Sequence, residues 1–285
     1  MEAGLTVTTH VSRFPGEMID LAAAVAQTLP PAIAPGETDP VSTDTAVVAV
    51  GGDGTLFEVI NGLTRNRVNG TVVPVPLGQI PVGTGNSFIR DLDIHDPQEA
   101  VQAILGGNTR AVDLGILNCE AGEYHFINLL GAGFVSSVAH RARYYKRWGA
   151  LSYVLGVIRE TAILAAQDLV LTIDGKRIER TGHFVEICNS RYTGGKMMIA
   201  PDARIDDGLF DVVVMSRVTR RKLLSLFPAI FSGTHVQDRS VEVFRGRTVR
   251  VQTAAPWLLT PDGETFGATP ITAEILPKAI RVFCP

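Results

Sequence analysis

The residues with chemical potential sit in two glycine-rich turns and two acidic turns of this 285-residue chain. The first turn, Gly51-Gly52-Asp53-Gly54-Thr55, lies between an apolar run, Ala46–Val50, and a helical pattern, Leu56–Leu63. Glycines there let backbone N–H groups approach a phosphate without a Cβ in the way, and a helix N-terminus favours anions. Asp53 could hold a phosphate-bound Mg²⁺ or hydrogen-bond the turn, and Thr55 could cap the helix or touch phosphate. A plain strand-to-helix turn does not need this many glycines, which favours phosphate. The second turn, Pro81-Val-Gly83-Thr84-Gly85-Asn86-Ser87-Phe88, offers two more glycines, a hydroxyl and an amide. Two such turns in one parallel α/β unit meet at the carboxyl edge of the sheet, where ligands bind. Neither is followed by the Gly-Lys-Ser/Thr of a Walker A loop, and neither has the third glycine of a dinucleotide fingerprint.

The acidic turns come later. Asp262-Gly263-Glu264 sits between Trp257-Leu-Leu259 and Thr265-Phe266. An isolated Asp-Gly is usually an exposed β-turn. In phosphoryl transfer, a carboxylate accepts the proton of the attacking hydroxyl, and such a group would also suit this place. Asp206-Asp207-Gly208-Leu209 is rich in oxygen ligands and precedes the apolar run Phe210–Met215; it reads equally well as a solvated turn.

Alternating elements carry these turns. Leu5–Thr9 has the period of a half-buried strand, and Glu17–Gln27 places Met18, Leu21, Ala22 and Val25 at helical spacing. Pro30–Thr45 reads as a loop. Ala46–Val50 has the composition of a strand buried on both faces. Val72–Pro76 and Gln79–Val82 are extended, and Asp96–Leu105 is a helix. This alternation predicts a mostly parallel α/β layer up to about Asp113. Ala111–Asn118 and Tyr124–Leu130 then read as strands and Gly149–Ala166 as a helix. Leu169–Ile173 and Lys176–Arg180 form a hairpin about Asp174-Gly175, a pair suited to a tight primed turn. Phe184–Asn189, Phe210–Met215, Thr248–Thr253 and Ile271–Ile275 follow as short strands, predicting a second, mainly antiparallel β domain.

Composition excludes several classes. A net charge of −3 lacks the basic excess of nucleic-acid-binding domains, so no nucleic-acid partner is expected. With 46% hydrophobic and 19% charged residues the chain folds. No apolar stretch approaches the ~18 residues of a membrane span. Residues 1–30 show no signal-peptide pattern. Cys119, Cys188 and Cys284 form no CxxC pair and read as reduced thiols, consistent with the cytoplasm. His140–Trp148 mixes cations and aromatics, as a contact with an anionic membrane surface would, or equally as a solvated helix start. There is no HExxH or GxSxG segment.

Gly51-Gly-Asp-Gly-Thr55 with Gly83-Thr-Gly-Asn86 resembles the diacylglycerol kinase catalytic family, which includes bacterial soluble lipid kinases, sphingosine kinases and ceramide kinases. Phe126–Gly133, Ala200–Asp211, Asp262-Gly-Glu264 and Leu276–Val282 extend the resemblance through most of the chain. GGDGT alone is shared with NAD kinases, whose TGSTAY-like segment this chain lacks.

The resemblance implies a nucleotide-binding α/β domain of the NAD kinase/diacylglycerol kinase type over residues 1–114, with a C-terminal return at 276–285. A β-sandwich lipid-binding domain would span 115–275. It implies ATP- and Mg²⁺-dependent transfer of the γ-phosphoryl group to a lipid hydroxyl, diacylglycerol- or sphingoid-like. Asp262 would be the base and Glu264 its supporting carboxylate. Ser12, Gly51, Gly52, Asp53, Gly54, Thr55, Leu56, Phe57, Gly83, Thr84, Gly85 and Asn86 would surround ATP. Asp53 and Asp113 would organise the catalytic Mg²⁺. A structural Mg²⁺ or Ca²⁺ would take the Asp207 side chain and the carbonyls of Arg204 and Leu209. Ser87 stands where bacterial members commonly have Asp. The family's opening strand and Asn-Pro-x-Ser-Gly loop have no counterpart here, and Leu5–Thr9 aligns with its second strand. A catalytically impaired nucleotide- or lipid-binding module and a NAD kinase are the alternatives. A cytoplasmic protein meeting its lipid at a membrane surface is expected, with a homodimer among its assemblies.

Overall fold

The computed structural model describes residues 4–29, 44–65, 73–142, 159–162 and 165–285. The first part comprises α1 (Glu17–Ala26), β1 (Val47–Gly51), α2 (Asp53–Thr64), β2 (Leu77–Pro81), a 3₁₀ turn (Phe88–Leu92), α3 (Pro97–Gly106) and β3 (Thr109–Cys119). Local chemistry sets these bounds. Asp96 caps α3 by accepting from the N–H groups of Gln98 (2.7 Å) and Glu99 (2.9 Å), Pro97 occupies the first turn, and Gly107 ends the helix in the left-handed region.

The second part is almost all strand: β4 (Gly122–Phe126), β5 (Leu129–Gly133), β6 (Gln167–Ile173), β7 (Lys176–Cys188), β8 (Tyr192–Thr193), β9 (Met197–Met198), β10 (Phe210–Ser216), β11 (Val241–Gly246), β12 (Thr248–Thr253), β13 (Leu259–Pro261) and β14 (Ile271–Phe283). Helices α4 (Phe134–Ala142) and α5 (Arg220–Leu226) accompany them. The expected architecture, an α/β layer followed by a mainly antiparallel β-sandwich, is present. β1, β2 and the end of β14 run parallel, whereas β3 runs antiparallel to β14, so the first layer is mixed. Beyond it the order is β14-β12-β6-β7-β10-β11, all antiparallel, and β5 joins β7 to β13.

β14 threads both hydrophobic cores. Ile271, Ala273 and Ile275 pack in the β core with Leu171, Val251 and Phe210, and Ala279, Ile280 and Val282 pack in the α/β core with Ile60, Leu77 and Phe88. Its pairing with β3 breaks between Leu276 and Ile280, where Lys278 has φ +53°.

Several expected elements differ. Leu5–Thr9 forms no strand; Leu5 and Val7 are 65% and 79% exposed, and without a neighbouring ladder extended backbone is not assigned as sheet. β1 is not buried on both faces, since among the described residues it pairs only with β2 and exposes Val48 and Val50. Val73–Pro76 is a turn, and Tyr124–Leu130 is split into β4 and β5. Phe184–Cys188 is the end of the long strand β7 and not a separate strand. β11 was not expected, because its apolar residues do not keep to one face: Val243 is exposed, while Phe244, the next residue, packs against the β core. Of the expected helix Gly149–Ala166, residues 159–162 are helical and 165–166 are not, while its remainder and most of His140–Trp148 lie outside the described residues.

α2 docks on β4 through a polar clasp. The Asn61 side chain accepts from the His125 N–H and donates to its carbonyl, both at 2.8 Å, and the Thr64 hydroxyl meets His125 Nδ1 at 3.1 Å. Burial pulls the His125 imidazole down to about 4. The folded state therefore binds fewer protons than the unfolded chain between about 4 and the ordinary 6.5. Burial shifts His235 in the same direction, while the raised carboxyls Glu186 and Asp262 act oppositely. A difference between variants isolates His125. H125N should gain stability relative to the parent as pH falls from about 7.5 to about 4.5, read as urea midpoints at each pH. A constant difference would show that His125 does not titrate on unfolding.

Candidate functional site

The turn Pro261–Glu264 is the centre of the site. Asp262 and Gly263 have φ values of +45° and +85°, and the Glu264 N–H donates to the Pro261 carbonyl at 2.8 Å, the pattern of a type I′ turn. Asp262 is only 4% exposed. Its carboxylate accepts three consecutive backbone N–H groups, Ile127 (2.9 Å), Asn128 (2.9 Å) and Leu129 (3.0 Å). Those N–H groups turn toward Asp262 and leave the strand ladder, which explains why β4 and β5 do not form one strand.

Burial pushes the Asp262 carboxyl up to about 7; the charge of Asp53 adds to this, and the three N–H donors oppose it. Asp53 is likewise raised by burial, against the Ser87 N–H, which reaches both of its oxygens at 2.9 Å. The two carboxyls thus lie within electrostatic reach at the junction of the α/β and β parts. Glu264 lies against Gly54, where a Cβ would meet its Oε1 at 2.5 Å. An aromatic cluster holds this contact: Phe266 packs on Tyr124 (ring centroids 4.3 Å apart) and on Phe57 (5.8 Å).

The two glycine turns touch, and packing is a direct reason for their composition. A side chain on Gly83 would collide with the Gly52 backbone, one on Gly51 with Thr55, and one on Gly85 would come within 2.9 Å of Asp53. Asn86, at φ +52°, closes the second turn by donating to the Gly83 carbonyl at 2.7 Å. Thr55 does not cap α2. Gly52 is the N-cap, with no side-chain hydrogen bond at that end, which leaves the first turn of α2 suited to an anion.

Other expected ligand residues fall elsewhere. Leu56 and Phe57 are 2% and 3% exposed and point into the core, so only their backbone faces the turn. Thr84 is exposed on the second turn. Ser12 is exposed, and among the described residues no hydrogen bond ties it to the glycine turns. Ser87 is buried, and its hydroxyl accepts the Gly195 N–H at 2.9 Å, linking the second turn to the β8–β9 loop.

Asp113 is not beside Asp53. It is fully buried on β3 opposite the break in β14, where its oxygens accept the N–H groups of Lys278 (2.7 Å) and Gly208 (2.6 Å). It thus satisfies backbone freed by the break. The expected structural-cation turn is also differently used. The Asp207 carboxylate pairs with Arg245 and accepts the Leu209 N–H at 3.1 Å, and Arg245 Nε also reaches Asp211 at 3.4 Å. Arg110 and Arg204 pair with Asp206. The residues do not fit a cation at Asp207, because Arg245 supplies the positive charge there. Among the described residues no group of three or more His, Cys, Asp or Glu is arranged to hold a metal.

Asn189 joins the two acidic centres: its amide donates to the Asp113 carbonyl (3.0 Å) and the Ile127 carbonyl (2.7 Å). Neither Asn189 nor Asn128 was singled out from the sequence. Asn128 lay within a matching segment, Phe126–Gly133, that carried no individual roles; Asn189 ends an apolar run and has no local signal.

An α/β layer with abutting glycine turns, closed by a β-sandwich that delivers a buried carboxylate, is the architecture of a two-domain kinase class. Residues 2–117 match the diacylglycerol kinase catalytic domain, and residues 128–284 match the YegS C-terminal NAD kinase beta sandwich-like domain. The chain is 34% identical over 249 residues to a diacylglycerol kinase of Mycobacterium tuberculosis, covering 84% of this chain and 77% of that one. It is 29% identical over 243 residues to a diacylglycerol kinase of Bacillus subtilis, with the same coverage. A solved structure from Bacillus anthracis superposes with a TM-score of 0.76 at 23% identity, covering 96% of this chain and 83% of that one, a likeness of fold. The chain belongs to the diacylglycerol kinase family.

The contact between glycine turns is testable apart from activity. G83A should cost about 1–3 kcal/mol and weaken nucleotide binding, because Gly83 meets backbone that cannot give way. At Gly106, in α3, a Cβ meets open space, so G106A should be neutral or add about 0.4–1 kcal/mol. Denaturant midpoints and ATP calorimetry on both variants check this; equal effects would refute the packing account.

Proposed function

We propose that this chain is an ATP- and Mg²⁺-dependent lipid kinase that transfers the γ-phosphoryl group to a lipid hydroxyl, diacylglycerol- or sphingoid-like. The observation that carries the reading is the position of Asp262. It feels the charge of Asp53 on the first glycine turn, and its neighbours Thr260 and Gly263 line an apolar cavity together with Leu129, Phe134 and Ile199. In this reading residues 1–114 with 276–285 handle the nucleotide, and residues 115–275 handle the lipid.

The N–H groups at the start of α2 hold phosphate, and the Gly52–Gly83 contact fixes the two turns that frame it. Asp262 cannot rotate, since three N–H groups fix its carboxylate, and it accepts the proton of the lipid hydroxyl as that oxygen attacks. Glu264, against Gly54, supports it from the nucleotide side. Asp53 and Asp262 are hard oxygen donors whose mutual repulsion a cation relieves, so they fit a phosphate-bound Mg²⁺, which would neutralise charge on the transferring group. Apolar walls keep water from competing with the lipid hydroxyl. The proposed acceptor, being a lipid, is met at a membrane surface; among the described residues no helix is long and apolar enough to cross a membrane.

The Ser87 hydroxyl, committed to Gly195, favours a binding module as the second reading, because it leaves the acidic network one carboxylate short. Incubation with radiolabelled ATP, Mg²⁺ and mixed lipid micelles separates the two. Labelled lipid is expected. D262N should lower turnover by about 100-fold or more. ATP binding without turnover would establish the module, and labelled NAD without labelled lipid would establish a NAD kinase.

A further inference from the structure

Glu186 is a buried acid that nothing so far uses. It lies on β7, 3% exposed, in register with Gly131 of β5, which in turn faces Thr260 of β13. Residues in lateral register share a face of the sheet, so Glu186, Gly131 and Thr260 form one row along the cavity wall, and all three line it. The absence of a side chain at Gly131 makes room for the acid: a Cβ there would stand 3.2 Å and 3.3 Å from its two carboxyl oxygens. Among the described residues Glu186 Oε2 and Thr260 Oγ1 are buried without a hydrogen-bond partner. Native interiors rarely leave such groups unsatisfied, and each left so costs about 1–3 kcal/mol. Two of them in one row of an apolar cavity point to a ligand that supplies the missing partners.

We propose that Glu186 is a specificity-determining residue, hydrogen-bonding an acyl ester carbonyl of a neutral glycerolipid whose free hydroxyl faces Asp262. This rests on the lipid-kinase reading above and narrows it to the acyl-ester class. The spacing fits, because Thr260 precedes Asp262 by two residues, about 7 Å along a strand, a span that a glycerol backbone and its ester cover. The chemistry fits as well. Among the described residues no cation opposes the effect of burial on the carboxyl, which raises it to about 8, so at neutral pH it is a neutral acid with one O–H to donate. A carbonyl accepts that hydrogen. An ammonium, as in a sphingoid base, would require a charged pair inside the apolar cavity, where desolvation opposes it.

The test compares three acceptors in mixed micelles with the full chain: diacylglycerol, its dialkyl ether analogue without carbonyls, and a sphingoid base. The parent should favour the diester over the diether by about tenfold to about a hundredfold in kcat/KM. E186A should collapse that ratio through KM for the diester, with kcat little changed. E186Q, whose amide still donates, should restore most of it. The diester-to-diether ratio is internal to each preparation, so it does not depend on how much of a variant folds. Equal use of diester and diether by the parent, a ratio untouched by E186A, no recovery in E186Q, or preference for the sphingoid base would each overturn the assignment while leaving the kinase reading intact. Absence of any labelled lipid from the parent would overturn both.

Discussion

The antiparallel pair β3–β14 is the interaction on which the rest of the structure depends. β14 carries residues of the β core at one end and of the α/β core at the other, and β3 accompanies it past the junction through Val112, Leu114 and Leu117. A continuous ladder of that length cannot serve two differently oriented layers without a break, because sheet twist accumulates along it. The break falls at Pro277-Lys278, where Pro has no N–H to donate and Lys278 adopts a left-handed φ. It would leave the Lys278 N–H without a ladder partner, and Asp113 accepts it. The other oxygen of Asp113 takes the Gly208 N–H, which ties the Arg204–Leu209 turn to the same point.

The site inherits its precision from that junction. Asn189 connects the Asp113 carbonyl to that of Ile127, and Ile127 begins the trio of N–H groups that fixes Asp262. On the opposite side the second glycine turn is tied to the β part by Ser87 to Gly195 and by a buried Asp91 to Arg191 ion pair at 2.6 Å. Breaking such a pair from one side is costly, since it strands a charge in low dielectric. Two carboxyls from different layers, Asp53 and Asp262, are therefore held close, although the charge of Asp53 raises the proton affinity of Asp262. Such an arrangement is unfavourable in isolation and is sustained by the surrounding hydrogen bonds.

Where the relevant forces are local, the residues announce the structure. Asp96-Pro97 before an amphipathic run and Gly107 after it define α3 at both ends. The hairpin β6–β7 follows from Asp174-Gly175 between alternating strands. The positions of the glycine turns were also legible, but their reason was only half so: besides leaving room for phosphate they let Gly52 and Gly83 touch, a contact between segments thirty residues apart in sequence. Glu186 looked like one residue of an apolar strand. Its role depends on Gly131 and Thr260, which come from two other strands. That Asp113 braces backbone was not legible, because it depends on the break in β14 that lies opposite it.

Two of the chain's four Asp-Gly pairs, Asp174-Gly175 and Asp262-Gly263, adopt positive φ at both residues. What the sequence determined by itself is that these pairs can turn so, since Asp tolerates the left-handed region and Gly prefers it; Asp53-Gly54, followed by an amphipathic run, starts a helix instead. Both aspartates even accept backbone N–H groups from a neighbouring segment, Asp174 from Arg247 and Thr248 on the surface. Only the tertiary structure decided that one of them would be an exposed hairpin tip and the other a buried carboxylate facing Asp53. The difference is desolvation and neighbouring charge, which depend on what the rest of the chain packs around a turn and not on the turn itself.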